Sequence, residues 1–152
     1  MRKRTQAREH ALQMLYQHEL NPELLEKLFP HFWSHHPQVP EETRQYAEKI
    51  VRGTLEHLVK LDELIIKYAE NWDLRRMAVI DRNILRYATY ELLFCEDIPM
   101  KVSINEAVNV AKKFSQEDSG KFVNGILDKI SHAEKKEVFG EDSPASRPQP
   151  SA

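Results

Sequence analysis

The sequence contains little glycine, a single cysteine and no long apolar run. Its four glycines among 152 residues are fewer than half of what the roughly 7% usual in globular proteins would give. Their spacing builds no glycine-rich phosphate loop, which argues against dinucleotide-binding and P-loop enzymes. Cys95 has no second cysteine to pair with, as is typical of a reducing compartment.

The sequence also lacks membrane and secretion signals. No apolar stretch approaches the ~18 residues of a membrane span. The charged residues 1–4 are followed by polar residues and Glu9 instead of an apolar core, so the start does not read as a secretion signal. We therefore expect a cytoplasmic protein that has no contact with a membrane.

The formal charge of −2 conceals an uneven distribution along the chain. Residues 1–20 hold four basic and two acidic residues, and residues 101–136 hold seven and five, whereas residues 21–100 hold ten and fourteen. If the fold brings the two basic segments together, they form one patch that can attract phosphates. The alternative is that both are ordinary solvated helix surface.

Apolar residues recur at helical spacing along most of the chain, and no sustained alternation of period two is found. This pattern predicts an all-α domain of about seven helices over residues 1–136. A first helix is expected over residues 5–19, and Asn21 and Pro22 begin a second, shorter one. Residues 30–40 hold three prolines and are expected to form a loop.

Capping residues predict where the later helices begin. The predicted starts are Pro40-Glu41-Glu42, Asp73, a capping box of Ser103 and Glu106, and Asp118 or Ser119. The long apolar stripe that follows Glu42 is expected to break near Leu61 and Asp62. The helix that follows Asp73 is expected to end at Ile98-Pro99. Residues 137–152 include three prolines without apolar periodicity, which predicts a disordered tail.

No combination of residues matches a catalytic or metal-binding site. His31 and His35 have the spacing of two zinc ligands on a helix, with His36 beside them, but prolines flank the group and no HExxH motif or nearby cysteine completes a site. Cys95 is either a nucleophile that a distant histidine activates or a small hydrophobic residue on an apolar face. We predict no catalytic residue, no metal and no cofactor, and therefore a binding protein.

Two segments combine the side chains that hold single-stranded RNA. The first is a basic arm formed by Arg2, Lys3, Arg4 and Arg8, and guanidinium groups fit phosphate oxygens bidentately. The second, residues 112–125, joins lysines with aromatic rings and with N–H groups at a helix start. Cations bind the RNA backbone, aromatic faces stack on unpaired bases, and polar groups read base edges.

Two residues of the second segment each have two interpretations. Phe122 is either a stacking platform or a core residue, because Ile126 and Ile130 follow it at helical spacing. Asp118 either caps a helix, a contribution of about 1 kcal/mol, or accepts hydrogen bonds from a base edge.

Three runs of sequence indicate a family: DRNILRYATYEL at residues 81–92, VSINEAV at residues 102–108 and KFVNGILD at residues 121–128. With these runs, and with Arg8, Ala11, Leu15 and Tyr16 near the start, the chain resembles the NusB family of bacterial transcription antitermination factors over residues 2–133. The resemblance implies an all-helical fold of two packed subdomains.

The resemblance also implies a function and its residues. NusB proteins bind the boxA sequence of nascent RNA together with NusE, a small-subunit ribosomal protein, and with other Nus factors they help RNA polymerase resist termination, notably on ribosomal RNA operons. By position, the family's RNA contacts fall on Arg2, Lys3, Arg4, Arg8, Asp118, Lys121 and Phe122. Its NusE contacts fall on Tyr16 and Asp81, although Asp81 can instead pair internally with Arg82 or Arg86.

Two other functions remain open at this point. NusB-like domains also occur at the amino end of some ribosomal RNA cytosine methyltransferases, but such an enzyme needs a cofactor domain with glycine-rich loops, which we do not expect here. The other alternative is a structural helical module whose basic ends are incidental, and the salt dependence of RNA binding distinguishes it. The sequence leaves open whether the free protein is a monomer or a homodimer.

Overall fold

The computed structural model describes residues 3–70 and 72–134. Arg2, at the tip of the predicted basic arm, and the predicted tail at residues 137–152 lie outside the described residues. Within the described part the secondary structure is helical throughout, which confirms the predicted all-α class.

Seven α-helices and one short 3-10 helix make up the described part. They are α1 (Lys3–Leu20), α2 (Leu25–Ser34), α3 (Glu41–Glu56), α4 (Leu58–Tyr68), the 3-10 helix (Leu74–Arg76), α5 (Val79–Phe94), α6 (Met100–Phe114) and α7 (Glu117–Ala133). In this part of the chain, no helix is both long and apolar enough to cross a membrane.

The helices form two subdomains that meet at α5. Helices α1 to α3 pack against one another, and α4 to α7 form a second bundle in which α6 and α7 are close neighbours. Helix α5 also contacts α1 and α3, so it joins the two groups, and twelve of its sixteen residues are buried. The contact with α3 is very close at Gly53, where a Cβ atom would lie 2.0 Å from Cζ of Tyr90. Only a glycine leaves room for that ring.

The predicted loop at residues 30–40 is wrong in its first half. Pro30 lies inside α2, where it removes a backbone hydrogen bond at a cost of about 3 kcal/mol. The same helix buries Leu28, Phe29, Phe32 and Trp33. Each such side chain contributes about 1.5–3 kcal/mol when fully buried, so burial outweighs the proline.

The predicted capping box at Ser103 is also wrong. Helix α6 begins at Met100, directly after Pro99, whose carbonyl oxygen accepts hydrogen bonds from the N–H groups of Val102 and Ser103. Ser103 therefore lies in the second turn, with its side chain buried. Pro99 is therefore the N-cap residue of α6, and the serine is not required as a cap.

Other helix boundaries differ by a few residues from the prediction. The break between α3 and α4 falls at His57, four positions before Leu61. Asp73 accepts a hydrogen bond from the N–H of Arg75 and so caps the 3-10 helix that precedes α5. Helix α7 begins after Gln116, which places Asp118 and Ser119 in its first turn.

Candidate nucleic-acid interface

The amino end of α1 presents two exposed cations, Lys3 and Arg4. The ammonium group of Lys3 lies 2.8 Å from the carboxylate of Glu42, and the Arg4 guanidinium lies 3.4 Å from that of Asp97. Arg4 also lies over the ring of Tyr46, 4.4 Å from its centroid. Exposed ion pairs of this kind are weak, so both cations can exchange their carboxylates for a phosphate.

Arg8, one turn further along α1, is buried and already paired. Its side chain is 3% exposed, and Nε donates to Glu91 over 2.8 Å while Nη1 lies 3.3 Å from Glu106. Tyr46 donates a second hydrogen bond to Glu91 over 2.6 Å. Burial by itself would lower the pKa of Arg8, but the charge of Glu91 holds that pKa above its usual value. In this structure the Arg8 guanidinium faces the core and is not available to a phosphate on the surface.

A polar cleft of about 260 Å³ lies beside the arm and adds a cation that sequence reasoning missed. Lys3, Arg4 and Lys49 line it together with Glu42 and Tyr46. Lys49 comes from α3, far from the arm in sequence, and its ammonium group lies 5.9 Å from the Tyr46 ring centroid. Only the packing of α3 against α1 shows that Lys49 belongs with the arm.

The start of α7 presents the second predicted group of residues. Asp118 and Lys121 are exposed, while Phe122 is half-buried at the edge of the core. The ring of Phe122 meets that of Trp72 edge to face, with centroids 5.1 Å apart. Trp72 is 52% exposed, so this pair of rings leaves an aromatic surface open to solvent. Sequence reasoning missed Trp72, although an indole in a short polar turn between helices was a signal for it.

The two groups do not form one continuous patch. Arg4 contacts Asp97, which follows the end of α5, whereas Ser119 at the start of α7 donates to Asp81 in the first turn of α5. The length of α5 between these contacts is about 20 Å at 1.5 Å per residue. A single patch requires the two basic segments to lie close together. In the structure they lie apart, near opposite ends of α5.

An apolar groove of about 300 Å³ lies where α1 meets α5 and α6. Tyr16 and Leu20 are exposed at its rim, and its lining includes Leu12, Gln13, Gln17, Ile80 and Phe114. Exposed apolar surface that is continuous over several residues is typical of a protein-binding site.

Asp81 follows Ile80, a residue of the groove lining, but its own side chain is buried. One carboxylate oxygen accepts a hydrogen bond from Ser119 over 3.0 Å, and the other has no hydrogen-bond partner. Arg82 and Arg86 were considered as internal partners of Asp81, but both of them pair with Glu19 instead. Hydrogen bonds from Asn83 and Arg82 outweigh burial and lower the pKa of Glu19.

The candidate metal ligands and the cysteine lie away from both groups. His31 and His35 lie near the end of α2 with ring centroids 4.9 Å apart. Within the ranges that the structure describes, no group of three or more His, Cys, Asp or Glu residues could hold a metal ion. Cys95 is 1% exposed at the end of α5 and packs in the core.

The model of the NusB family matches residues 5–132. A curated relative, transcription antitermination protein NusB of Desulfitobacterium hafniense, is 48% identical over 139 residues, which cover 90% of this chain and 94% of the relative. The protein of the same name from Thermodesulfovibrio yellowstonii is 41% identical, with coverage of 87% and 93%.

Two solved structures have the same fold. NusB of Thermotoga maritima superposes with a TM-score of 0.79 at 43% identity, and the match covers 90% of this chain and 96% of that one. A chain in a crystal structure of the antitermination factors NusB and NusE with double-stranded RNA gives a TM-score of 0.79 at 31% identity, with coverage of 88% and 98%.

Proposed function

Because the chain belongs to the NusB family, we propose that it is a transcription antitermination factor that binds boxA RNA in nascent transcripts, notably ribosomal RNA, together with NusE. The bound complex acts on RNA polymerase with other Nus factors. The observation that supports this most directly is the group at the start of α7, where the exposed Lys121 precedes Phe122 in the sequence and the ring of Phe122 meets that of Trp72. A cation beside open aromatic faces is the combination that holds unpaired bases.

The RNA contacts that we propose differ from those implied by sequence position, because two residues are added and Arg8 is no longer a direct contact. Four of the proposed contacts, Lys3, Arg4, Asp118 and Lys121, are exposed, and Phe122 is half-buried, which supports the proposal that they contact a strand. Lys49 and Trp72 are added to them because they share the same two surfaces. Arg8 supports the arm from inside through its pair with Glu91.

The groove at Tyr16 and Leu20 is the surface that we propose for NusE. Its lining is mainly apolar, as the centre of a stable protein interface is. The carboxylate of Asp81 is buried and accepts a hydrogen bond from Ser119, so we propose that Asp81 supports this surface from inside and does not itself contact NusE.

We propose further that the protein is cytoplasmic and has no catalytic activity of its own. The curated relatives bear the name of an antitermination protein.

Binding to labelled boxA RNA, measured by fluorescence anisotropy with and without NusE, tests this function. We expect the chain with NusE to bind single-stranded boxA RNA more tightly than a scrambled strand of the same length. A duplex of the same sequence serves as a second comparison. Equal affinity for boxA and scrambled RNA, or no binding in either condition, would refute the proposal.

Matched substitutions at exposed apolar positions test the NusE surface. Leu20→Glu places a charge at the rim of the groove, where Leu20 is 63% exposed, and we expect it to weaken NusE binding at least tenfold. Val59→Glu introduces the same charge on α4, where Val59 is 75% exposed, and should leave NusE binding unchanged. Equal effects of the two variants would place the NusE surface elsewhere.

A further inference from the structure

The outer face of α6 is basic and amide-rich, and it holds no exposed acid. The exposed residues of this helix are Lys101, Val102, Asn105, Asn109, Lys112 and Lys113. The only acid of the helix, Glu106, is partly buried and is occupied by Thr5 and Arg8. The other amphipathic helices that carry lysine on their exposed face also carry glutamate or aspartate there, as α3 and α7 do.

This face lies between the two groups of residues proposed to bind RNA. One side of α6 faces α1, since Glu106 bonds to Thr5 and Lys113 bonds to Glu9. The other side faces α7, since the stem of Lys112 lies across Gly120, where a Cβ atom would meet it at 3.1 Å.

Lys101, Asn105 and Asn109 follow one another at a spacing of four residues, so they form one row along the helix. This row projects into solvent between the sides that face α1 and α7. It begins just after Asp97, the partner of Arg4, and with Lys112 it ends beside Gly120 and Lys121. From Lys101 to Lys112 the row spans about 16 Å at 1.5 Å per residue, which is most of the separation of about 20 Å along α5.

The side chains in this row have the chemistry that a single strand needs. Lysine ammonium groups bind phosphates, and each asparagine offers two N–H donors and one carbonyl acceptor to base edges. An exposed acid in the row would repel the strand, and the one acid of α6 is turned away into the contact with α1.

The geometry points to a third RNA contact on this face: Lys101, Asn105, Asn109 and Lys112 guide one strand from the amino end of α1 to Lys121 and Phe122. This inference rests on the proposed function and goes beyond it, because it assigns the route of the RNA across the protein. The two surfaces then act as the ends of one site.

Charge reversal on this face, with a matched reversal elsewhere, tests the inference. The variant Lys101→Glu/Lys112→Glu should bind boxA RNA at least about tenfold more weakly, and its plot of log affinity against log salt should be less steep by about 1.4, because two phosphate contacts are lost. The control variant Lys27→Glu/Lys60→Glu changes the net charge equally at exposed positions on α2 and α4. It should retain the wild-type slope, and thermal melts should show that both variants are folded.

Single substitutions test the amide groups. Asn105→Ala and Asn109→Ala should each weaken binding to boxA more than binding to a scrambled strand. Lysines bind the phosphates of a strand of any sequence, whereas amides bind the edges of particular bases.

Three results separate the inference from the proposed function. If wild-type protein binds boxA RNA and the two double variants behave alike, the route over α6 is overturned while the proposed function stands. If the α6 variant loses NusE instead of RNA, the face is a protein interface and the inference is overturned. If wild-type protein with NusE does not bind boxA, the proposed function itself fails.

Discussion

Arg4 and Arg8 lie one turn apart on α1, and their surroundings give them different roles. Arg4 is exposed beside Asp97, whereas Arg8 is enclosed by Glu91, Glu106 and Tyr46. A sequence shows the positive charge of both residues but not the carboxylates that the fold brings to one of them. Glu91 is 83 positions from Arg8, so no local pattern could predict this pair.

Removing Arg8 should therefore destabilise the protein. Loss of one partner of a buried ion pair leaves the other charge uncompensated, and we expect Arg8→Ala to lower the free energy of unfolding by about 3–5 kcal/mol. Arg4→Ala should lower it by less than about 1 kcal/mol, since its pair is exposed. Urea denaturation of both variants measures the difference. Equal stability of the two variants would show that Arg8 is not a structural cation.

Phe122 combines the two interpretations that its spacing left open, because one edge meets the core and the ring also meets Trp72. We expect Phe122→Ala to weaken RNA binding by about 1–3 kcal/mol, the usual contribution of a stacked base. Phe122→Leu should retain the core contact but lose stacking. If the leucine variant binds RNA as tightly as wild type, the ring does not stack on a base.

At the scale of single elements, α2 is attached to α1 through a cluster of aromatic rings. His36, just after α2, stacks on Phe32 with centroids 4.5 Å apart and lies 4.9 Å from the ring of His10. Burial, together with the neighbouring His10 and His35, lowers the pKa of His36. The attachment of α2 is therefore sensitive to protonation.

This shift predicts how stability changes with pH. Because the pKa of His36 is lower in the folded state than its ordinary value of 6.5, the unfolded chain binds the proton more readily between these two values. The contribution of His36 is complete above pH 6.5 and is lost as the pH falls below it. Urea denaturation between about pH 7.5 and 5 should show falling stability, with a smaller fall in His36→Gln. An equal pH dependence in both proteins would contradict the assignment.

The helices themselves were largely predictable, and their ends were not. Apolar spacing finds the buried faces of α6 and α7, because each of these helices buries one stripe. The ends depend on competition between alternative caps. Pro99 and Ser103 each qualify as a start for α6, and the deciding factor is that Ser103 faces the core. Pro30 inside α2 is tolerated for a similar reason, since tertiary burial outweighs a local cost.

At the scale of the whole molecule, the RNA site that we propose runs along α6 and connects two surfaces, one at the amino end of α1 and one at the start of α7. The sequence indicates both ends, at Lys3–Arg4 and at Lys121–Phe122, because each is a local cluster of suitable side chains. It does not indicate their separation along α5, nor the residues that the fold adds, such as Lys49 and Trp72. Those depend on how distant helices pack against one another, which periodicity does not encode.

The measurement that tests this account most directly is the salt dependence of the affinity of the wild-type protein for single-stranded boxA RNA. Four to six phosphate contacts along the path predict that log affinity falls against log salt with a slope of about −3 to −4. Contacts by Lys3, Arg4 and Lys49 alone would give a slope of about −2, and contact by Lys121 alone a slope of about −0.7. A flat response would contradict the claim that the cations of α1, α6 and α7 bind one RNA strand.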